Sequence, residues 1–402
     1  MEMFNHNILY VYKFIGQCLP IYAFYTILFI DRGKTISDIA VLIALWSVFT
    51  VALDIPAGIL ADRWNRRNML VIATILQGIC FVIWFFSHTF FMFALGFFFW
   101  AISGAFTSGT EEGLIYDNLK HNGREYSFTK IYGQSQFYAN IGALVGISSA
   151  GIIAIFISIE AIALISAIVC FVNVFFAAQI RERNLYSERL NTEPSSFFET
   201  LKKTLIFIKG NRFALATIVF LVLFSSIGAY MDEFDALIAN DWNISKLWIS
   251  GILVVRFIFV ALGDILAPII EKKIIEKKTE KKIISVRQVF LLNSIACILL
   301  AIFSVVWNWY AILFFGISSM LMAITQILLI NTLQREIREE GRATVMSFYS
   351  AGQNIAMICL TLVFAVLAEA FTLQQVYAII SVYGVIGSLI FCVLPIKIST
   401  KS

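Results

Sequence analysis

The sequence predicts an all-α membrane protein of twelve spanning helices in two six-helix halves, with both termini cytoplasmic. Three observations carry that expectation. Sixty per cent of the 402 residues are hydrophobic and only 14% are charged, whereas an ordinary soluble domain is about half apolar and roughly a quarter charged. The apolar residues fall in blocks long enough to cross a hydrocarbon core of about 30 Å, which takes roughly 20 helical residues. The Lys and Arg residues gather in alternate loops between those blocks.

The first six blocks cover residues 8–30, 36–61, 68–87, 90–116, 131–157 and 160–180. A polar interruption over 181–212 follows, and six more blocks cover 213–239, 247–270, 284–306, 309–333, 344–368 and 376–396. The chain therefore divides into a half over 1–180, a cytoplasmic linker over 181–212 and a second half over 213–402. Every block is read as helix, because an open strand edge in lipid leaves backbone groups unpaired. Cytoplasmic loops carry the positive excess. With Met1 inside, the outer loops hold Arg32, Lys34 and Lys246, two basic residues fall within spans, and the other 25 of the 30 lie in inner segments. A missed or extra span would swap every later loop and destroy that bias.

Metal and disulfide chemistry is not expected. The three His (His6, His88, His121) lie outside the spans or at their ends. The six Cys lie in apolar runs without ligand spacing. The N-terminus has no small-residue cleavage site, so the first span is expected to persist as the insertion signal. The linker is expected to hold an amphipathic helix over 197–208 at the inner surface. Two loops echo each other. Asn118-Leu119-Lys120 and Gly123-Arg124 precede Gly133-Gln134 in the first half. Asn331-Thr332-Leu333 and Gly341-Arg342 precede Gly352-Gln353 in the second. Equivalent positions in two six-span halves point to a parallel repeat.

The inner loop between the second and third spans reads Asp54-Ile-Pro-Ala-Gly58-Ile-Leu-Ala-Asp62-Arg63-Trp-Asn-Arg66-Arg67. It resembles the signature loop of the major facilitator superfamily, with Asn65 standing where that loop usually has Gly; Asn also tolerates a left-handed turn. The resemblance implies the twelve-helix major facilitator fold. It also implies a conformational latch formed by Gly58, Asp62, Arg63, Arg66 and Arg67, with Asp62 holding the N-terminal end of the eleventh helix while the cytoplasmic side is closed. A carboxylate near a helix N-terminus is stabilised by about 0.3–1 kcal/mol. Among branches, Asp54-Ile-Pro56 and the run Ser108-Gly-Thr-Glu111-Glu-Gly-Leu-Ile-Tyr116-Asp117 look most like the bacterial drug-efflux type. The exporters' fourth-span Arg is absent from Trp100-Ala-Ile-Ser-Gly104. The fifth span has Gly142, Gly146 and Gly151, spaced like the exporters' antiporter motif but without its Pro.

A charge at mid-membrane costs roughly 2.5–3.5 kcal/mol on insertion scales, so each needs a partner or a purpose. Ion-coupling candidates are Lys13, Asp54, Glu111, Asp232, Glu233, Asp235 and Arg256. Lys13 and Glu111 sit at similar depth and are expected to pair across the cavity, which the resemblance places among the first, fourth, seventh and tenth spans. Crowded carboxylates resist joint ionisation, while a nearby Arg favours it. Asp232 or Glu233, with Arg256 as counter-charge, is the expected proton-carrying site. The competing reading puts 232–235 at the outer headgroups, where a carboxylate is cheap. Glu112, Asp117 and Asp264 are read as boundary residues. Cavity candidates are Gln17, Tyr22, Trp100, Thr107, Tyr230, Gln326 and Tyr349, because their polar atoms need partners. Met320 and Met322 are read as packing before pocket.

Other classes fit poorly. Gly33-Lys34-Thr35 lacks the preceding Gly of a phosphate-binding loop, and there is no cluster of catalytic spacing, so neither a pump nor an enzyme is expected, and no cofactor. The expectation is alternating access driven by an ion gradient, in which one charge crossing 100 mV supplies about 2.3 kcal/mol. Proton antiport with efflux leads; proton-coupled uptake of a metabolite or siderophore-like solute is the alternative. The expected partners are a small solute, protons or another coupling ion, and the bilayer, not nucleic acid. The motifs place the chain in a bacterial inner membrane. A monomer is compatible with all of this.

Overall fold

The computed structural model describes residues 6–121, 124, 127–182, 212–225, 227–242, 244–276, 286–336 and 339–394. Every regular element among them is helical. The first part of the chain forms α1 (His6–Gln17), α2 (Ile21–Asp31), α3 (Ile36–Arg63), α4 (Arg66–Phe86), α5 (Phe90–Thr107), α6 (Thr110–His121), α7 (Phe128–Phe156) and α8 (Ile159–Gln179). The later part forms α9 (Arg212–Phe220), α10 (Ile227–Met231), α11 (Asp235–Asp241), α12 (Lys246–Glu276), α13 (Val286–Val306), α14 (Ile312–Glu336), α15 (Glu339–Ala370) and α16 (Leu373–Val393). The expected amphipathic helix over 197–208 lies outside the described residues.

Eleven helical stretches among the described residues are long and apolar enough to cross a membrane. The difference from the expected twelve falls on residues 213–239, which do not form one regular helix. Only 213–224 qualify as a shorter apolar helix. Beyond α9 the chain widens into a π turn at Leu221–Ser225, resumes as α10, tightens into a 3-10 turn at Asp232–Phe234 and continues as α11. Two further spans are broken. α1 ends before Pro20, which has no N–H to continue the ladder, and the first N–H of α2 finds the Ser166 hydroxyl at 3.0 Å. α5 ends at Ser108 and Gly109, where Gly109 takes φ +69°, a conformation open to a residue without Cβ.

The loop between α3 and α4 corrects one expectation. Asn65 is not left-handed: it has φ −72° and ψ 117° and N-caps α4, its side-chain oxygen accepting from the Asn68 N–H at 2.9 Å. An N-cap satisfies an otherwise orphaned helix donor, so Asn serves here for a reason different from glycine's freedom.

The chain separates into two compact units, one of Met1–Glu193 with Ile244–Val254, the other of Pro194–Asn243 with Val255–Ser402. In the first, α4 packs on α5 and α8, α3 on α5, and α1 on α7 and α8. Buried aromatic rings at Phe29, Trp84, Phe93 and Phe97 pack against one another where α2, α4 and α5 meet. In the second, α13 packs on α14 and α16, around Phe220, Phe290 and Phe391.

The glycines spaced like an antiporter motif are packing positions. A Cβ on Gly142 would stand 2.1 Å from the Phe14 carbonyl oxygen, and one on Gly146 would stand 2.7 Å from the Leu19 nitrogen, so α7 lies directly against the backbone of α1 and its following turn. Gly133 on the same helix has nothing within 4 Å of such an atom. Gly142→Val is therefore expected to destabilise the protein by about 1–3 kcal/mol or more through overpacking, with Gly133→Ala within about 0.5 kcal/mol of wild type. Thermal midpoints of the purified protein in detergent check both.

Candidate functional site: two buried ion clusters

In the first unit, the break between α1 and α2 leaves Lys13 and Gln17 on the last turns of α1 and Tyr22 on the first turn of α2. The break between α5 and α6 puts Glu111 in the first turn of α6, where exposed helix N–H groups favour negative charge. Lys13 Nζ meets Glu111 Oε2 at 2.7 Å, with both side chains about nine-tenths buried at 11% and 9% exposure. The pair expected from the sequence is thus brought together. It stands in a cavity of about 180 Å³ that Gln17, Tyr22, Trp100 and Thr107 also line. The Trp100 and Tyr22 rings stack with centroids 5.4 Å apart, 15° from parallel.

Among the lining residues that sequence reasoning missed are Thr74 and Gln77 on α4 and Asn173 on α8. Gln77 donates from Nε2 to the Tyr22 hydroxyl oxygen at 2.6 Å. Asn173 is 2% exposed, and its carbonyl oxygen has no hydrogen-bond donor among the described residues. Gly16 makes this possible: a Cβ there would stand 2.9 Å from Asn173 Nδ2. An Asn within an otherwise apolar span, paired with a Gly on a neighbouring span, is the signal that could have found it.

In the second unit, the broken seventh segment builds the other cluster. Residues three apart eclipse in a 3-10 turn, so the turn at Asp232–Phe234 sets Asp232 and Asp235 on one side. Arg256 on α12 reaches both: Nη1 lies 2.7 Å from Asp235 Oδ2, and Nη2 pairs with Asp232 Oδ1. Asp235 is 3% exposed, with its Oδ1 unpartnered among the described residues, whereas the Asp232 side chain is about half exposed. The Arg256 guanidinium also donates to Ser319 Oγ at 3.3 Å and to the Gly228 carbonyl at 3.4 Å, and stands 5.2 Å from the Phe315 ring centre. Glu233, adjacent in sequence, is a third carboxylate whose charge acts on Asp235. Tyr377, fully buried, donates its hydroxyl to the Met231 carbonyl at 3.2 Å.

The remaining expected residues are scattered. Gln326 donates to the Tyr349 hydroxyl at 3.2 Å, a pair separate from Arg256. Asp54 is half-buried on α3, without an ion-pair partner among the described residues. The side chains of Asp62, Arg63 and Tyr230 lie outside the described residues. Gly58 is exposed, and a Cβ there would meet nothing within 4 Å. Arg66 pairs with Asp117 at 2.8 Å, tying the start of α4 to α6. Its guanidinium lies where a Gly113 Cβ would be, 2.2 Å away, so Gly113 is the space through which Arg66 reaches. The Arg67 backbone N–H is held by Glu182 at 2.8 Å. Glu112 accepts from the Tyr132 hydroxyl at 2.8 Å. Met322 is buried against Gly228.

Among the described residues the spans are helices that carry paired charges, and comparison with known proteins gives their family. The family model of the Major Facilitator Superfamily matches residues 14–344. The chain belongs to that superfamily: it is an integral membrane protein with a transporter's fold, not an enzyme's. No curated protein matches it in sequence. Among solved structures, a mutant of nucleoside transporter NupG aligns over 96% of this chain and 98% of its own, with TM-score 0.79 and 16% identity. A bacterial homolog of the human lysosomal transporter Spinster aligns over 96% and 95%, with TM-score 0.72 and 14% identity. A D-xylose–proton symporter aligns over 98% and 96%, with TM-score 0.69 and 13% identity. At these identities the likeness is one of fold.

Breaking a buried ion pair leaves an uncompensated charge and costs about 3–5 kcal/mol, whereas replacing both partners with apolar groups is often close to neutral. Lys13→Met is accordingly expected to lower the thermal midpoint of the purified protein sharply, and Lys13→Met with Glu111→Leu to recover most of that loss.

Proposed function

We propose that this protein is a proton-coupled secondary transporter of a small solute, with twelve spans, both termini cytoplasmic, and halves over 1–180 and 213–402 that alternate access to a central site. Residues 213–239 form the seventh span, broken where the coupling site lies. The observation that carries the reading is the trio of Arg256, Asp232 and Asp235. One guanidinium faces two carboxylates, so the trio is electroneutral only when it holds one proton. Asp235 is the better carrier than Asp232, because it is the buried partner and one of its oxygens has no donor among the described residues. Gly58, Asp62, Arg63, Arg66 and Arg67 act as the cytoplasmic latch, with Arg66 paired to Asp117.

Efflux by proton antiport is the reading that the drug-efflux-like motifs favour, in a bacterial inner membrane. Proton-coupled uptake is the second reading. It is favoured by the missing Arg of the fourth span and by a D-xylose–proton symporter among the fold relatives.

Proteoliposomes carrying an internal pH dye test both coupling and direction. Protons moving opposite to the solute mark antiport, and protons moving with it mark symport. Asp235→Asn is expected to cut solute-dependent proton movement to below about a tenth of wild type, a barrier of about 1.4 kcal/mol or more, with solute counterflow retained. Solute flux without any proton movement would overturn the coupling. Loss of coupling in Glu233→Gln, with Asp235→Asn unaffected, would move the carrier to Glu233.

A further inference from the structure

Another cavity, of about 260 Å³, lies in the second unit between α10, α15 and α16. Met231 and Phe234 wall it on the side of the broken seventh segment, Phe364 and Leu367 on α15, and Ile379 and Tyr383 on α16. Among its described lining residues none is charged, and Thr361 and Tyr383 alone carry a hydroxyl. A buried water needs two to four polar partners, whereas an apolar cavity of about 150 Å³ stays dry and holds benzene. The lining therefore selects hydrocarbon, and the volume admits a stretch of it larger than one ring.

The mouth shows where that hydrocarbon comes from. Val363, Ile379 and Tyr383 are exposed at the rim, which continues into exposed Val366 on α15 and exposed Val382 and Ile386 on α16. Both helices are long and apolar enough to cross a membrane, so in the bilayer this face meets acyl chains. Depth agrees. α15 ends at Ala370 and α16 begins at Leu373. At 1.5 Å per residue the cavity lies roughly 5–15 Å below that turn, within one leaflet of a hydrocarbon core of about 30 Å. A chain entering from the bilayer leaves no hydration shell behind, because lipid tails are as apolar as the wall. It gains the contacts that an empty space forfeits.

We infer that this lateral cavity is a binding site for one acyl chain of a bilayer phospholipid, packed behind the ion cluster of the second unit. Its inner wall is the turn that carries the cluster. Met231 and Phe234 bracket Asp232 and Glu233, and the Phe234 ring stacks on Phe364 with centroids 4.0 Å apart. The bound chain is thus part of the support on which Asp232 and Asp235 face Arg256.

Photolabelling of the full chain in phosphatidylcholine vesicles tests this, with a phosphatidylcholine probe that carries a diazirine midway along one acyl chain. Peptide mass spectrometry maps the adducts. They are expected on Leu360, Leu367 and Ile380, which are half-buried within the cavity, as well as on lipid-facing Val366 and Val382. Ile379→Trp fills the mouth and is expected to cut the cavity adducts about tenfold or more, a loss of about 1.4 kcal/mol in affinity. Labelling of Val366 and Val382 stays as in wild type. Val363→Trp, at the same exposed rim, repeats the test where the first variant fails to fold. Adducts confined to Val366 and Val382 in wild type would overturn the inference, as would cavity adducts that survive both filling variants. Cavity adducts that appear only when the protein is diluted in the bilayer would make the occupant a second copy of this chain, and would overturn it too. These readouts involve neither a solute nor a proton gradient, so failure of the coupling reading leaves them unchanged.

Discussion

In hydrocarbon an unsatisfied backbone or charged group has no water to fall back on, and each one costs several kcal/mol. That constraint organises the rest of the structure. It makes every regular element a helix and confines the charges described within spans largely to pairs. It also limits where a helix can stop. Each of the three interrupted spans breaks beside polar residues that can receive the freed groups: Ser166 at the start of α2, the α6 N-terminus with its two Glu, and the Arg256 guanidinium on the Gly228 carbonyl.

Because breaks are tolerated only there, breaks and functional candidates coincide. Lys13, Gln17 and Tyr22 flank the first, Thr107 and Glu111 the second, and Asp232 and Asp235 the third. A continuous helix would present these side chains at a fixed 100° per residue. The interruptions turn the chain so that partners on different spans meet. The same economy explains the small residues nearby. Gly16 admits Asn173 and Gly113 admits Arg66, so the polar contacts depend on missing side chains as much as on those present.

What the sequence made legible follows from cost. Charges in apolar runs are expensive and therefore conspicuous, so Lys13, Glu111, Arg256 and the acidic group at 232–235 stand out in the sequence. Neutral polar residues cost less and hide: Asn173, Thr74 and Gln77 read as ordinary members of their spans. The choice of Asp235 over Glu233 as Arg256's buried partner depends on a 3-10 turn, a change of backbone winding that hydrophobic periodicity does not encode. Spans were legible as blocks, whereas their interior breaks were not, because hydropathy averages over the one or two residues that end a helix. Pro20 and Gly109 were the available signs. Asn65 was read by its tolerance of left-handed backbone, and its capping oxygen won instead.

The short helix α6 has a mechanical consequence. Glu111, in its first turn, lines the cavity, and Asp117, six residues further on, grips Arg66. At 1.5 Å per residue these two anchor points are about 9 Å apart along one stiff rod. The rod begins just after Gly109, whose positive φ disconnects it from α5. Beyond that turn Leu114, Ile115 and Leu119 bury the rod in the core of the unit, and Asn118 donates to the Arg181 carbonyl at 3.3 Å. Glu111 and Asp117 therefore stand on one stiff support, and the cavity and the charges at the start of α4 share it.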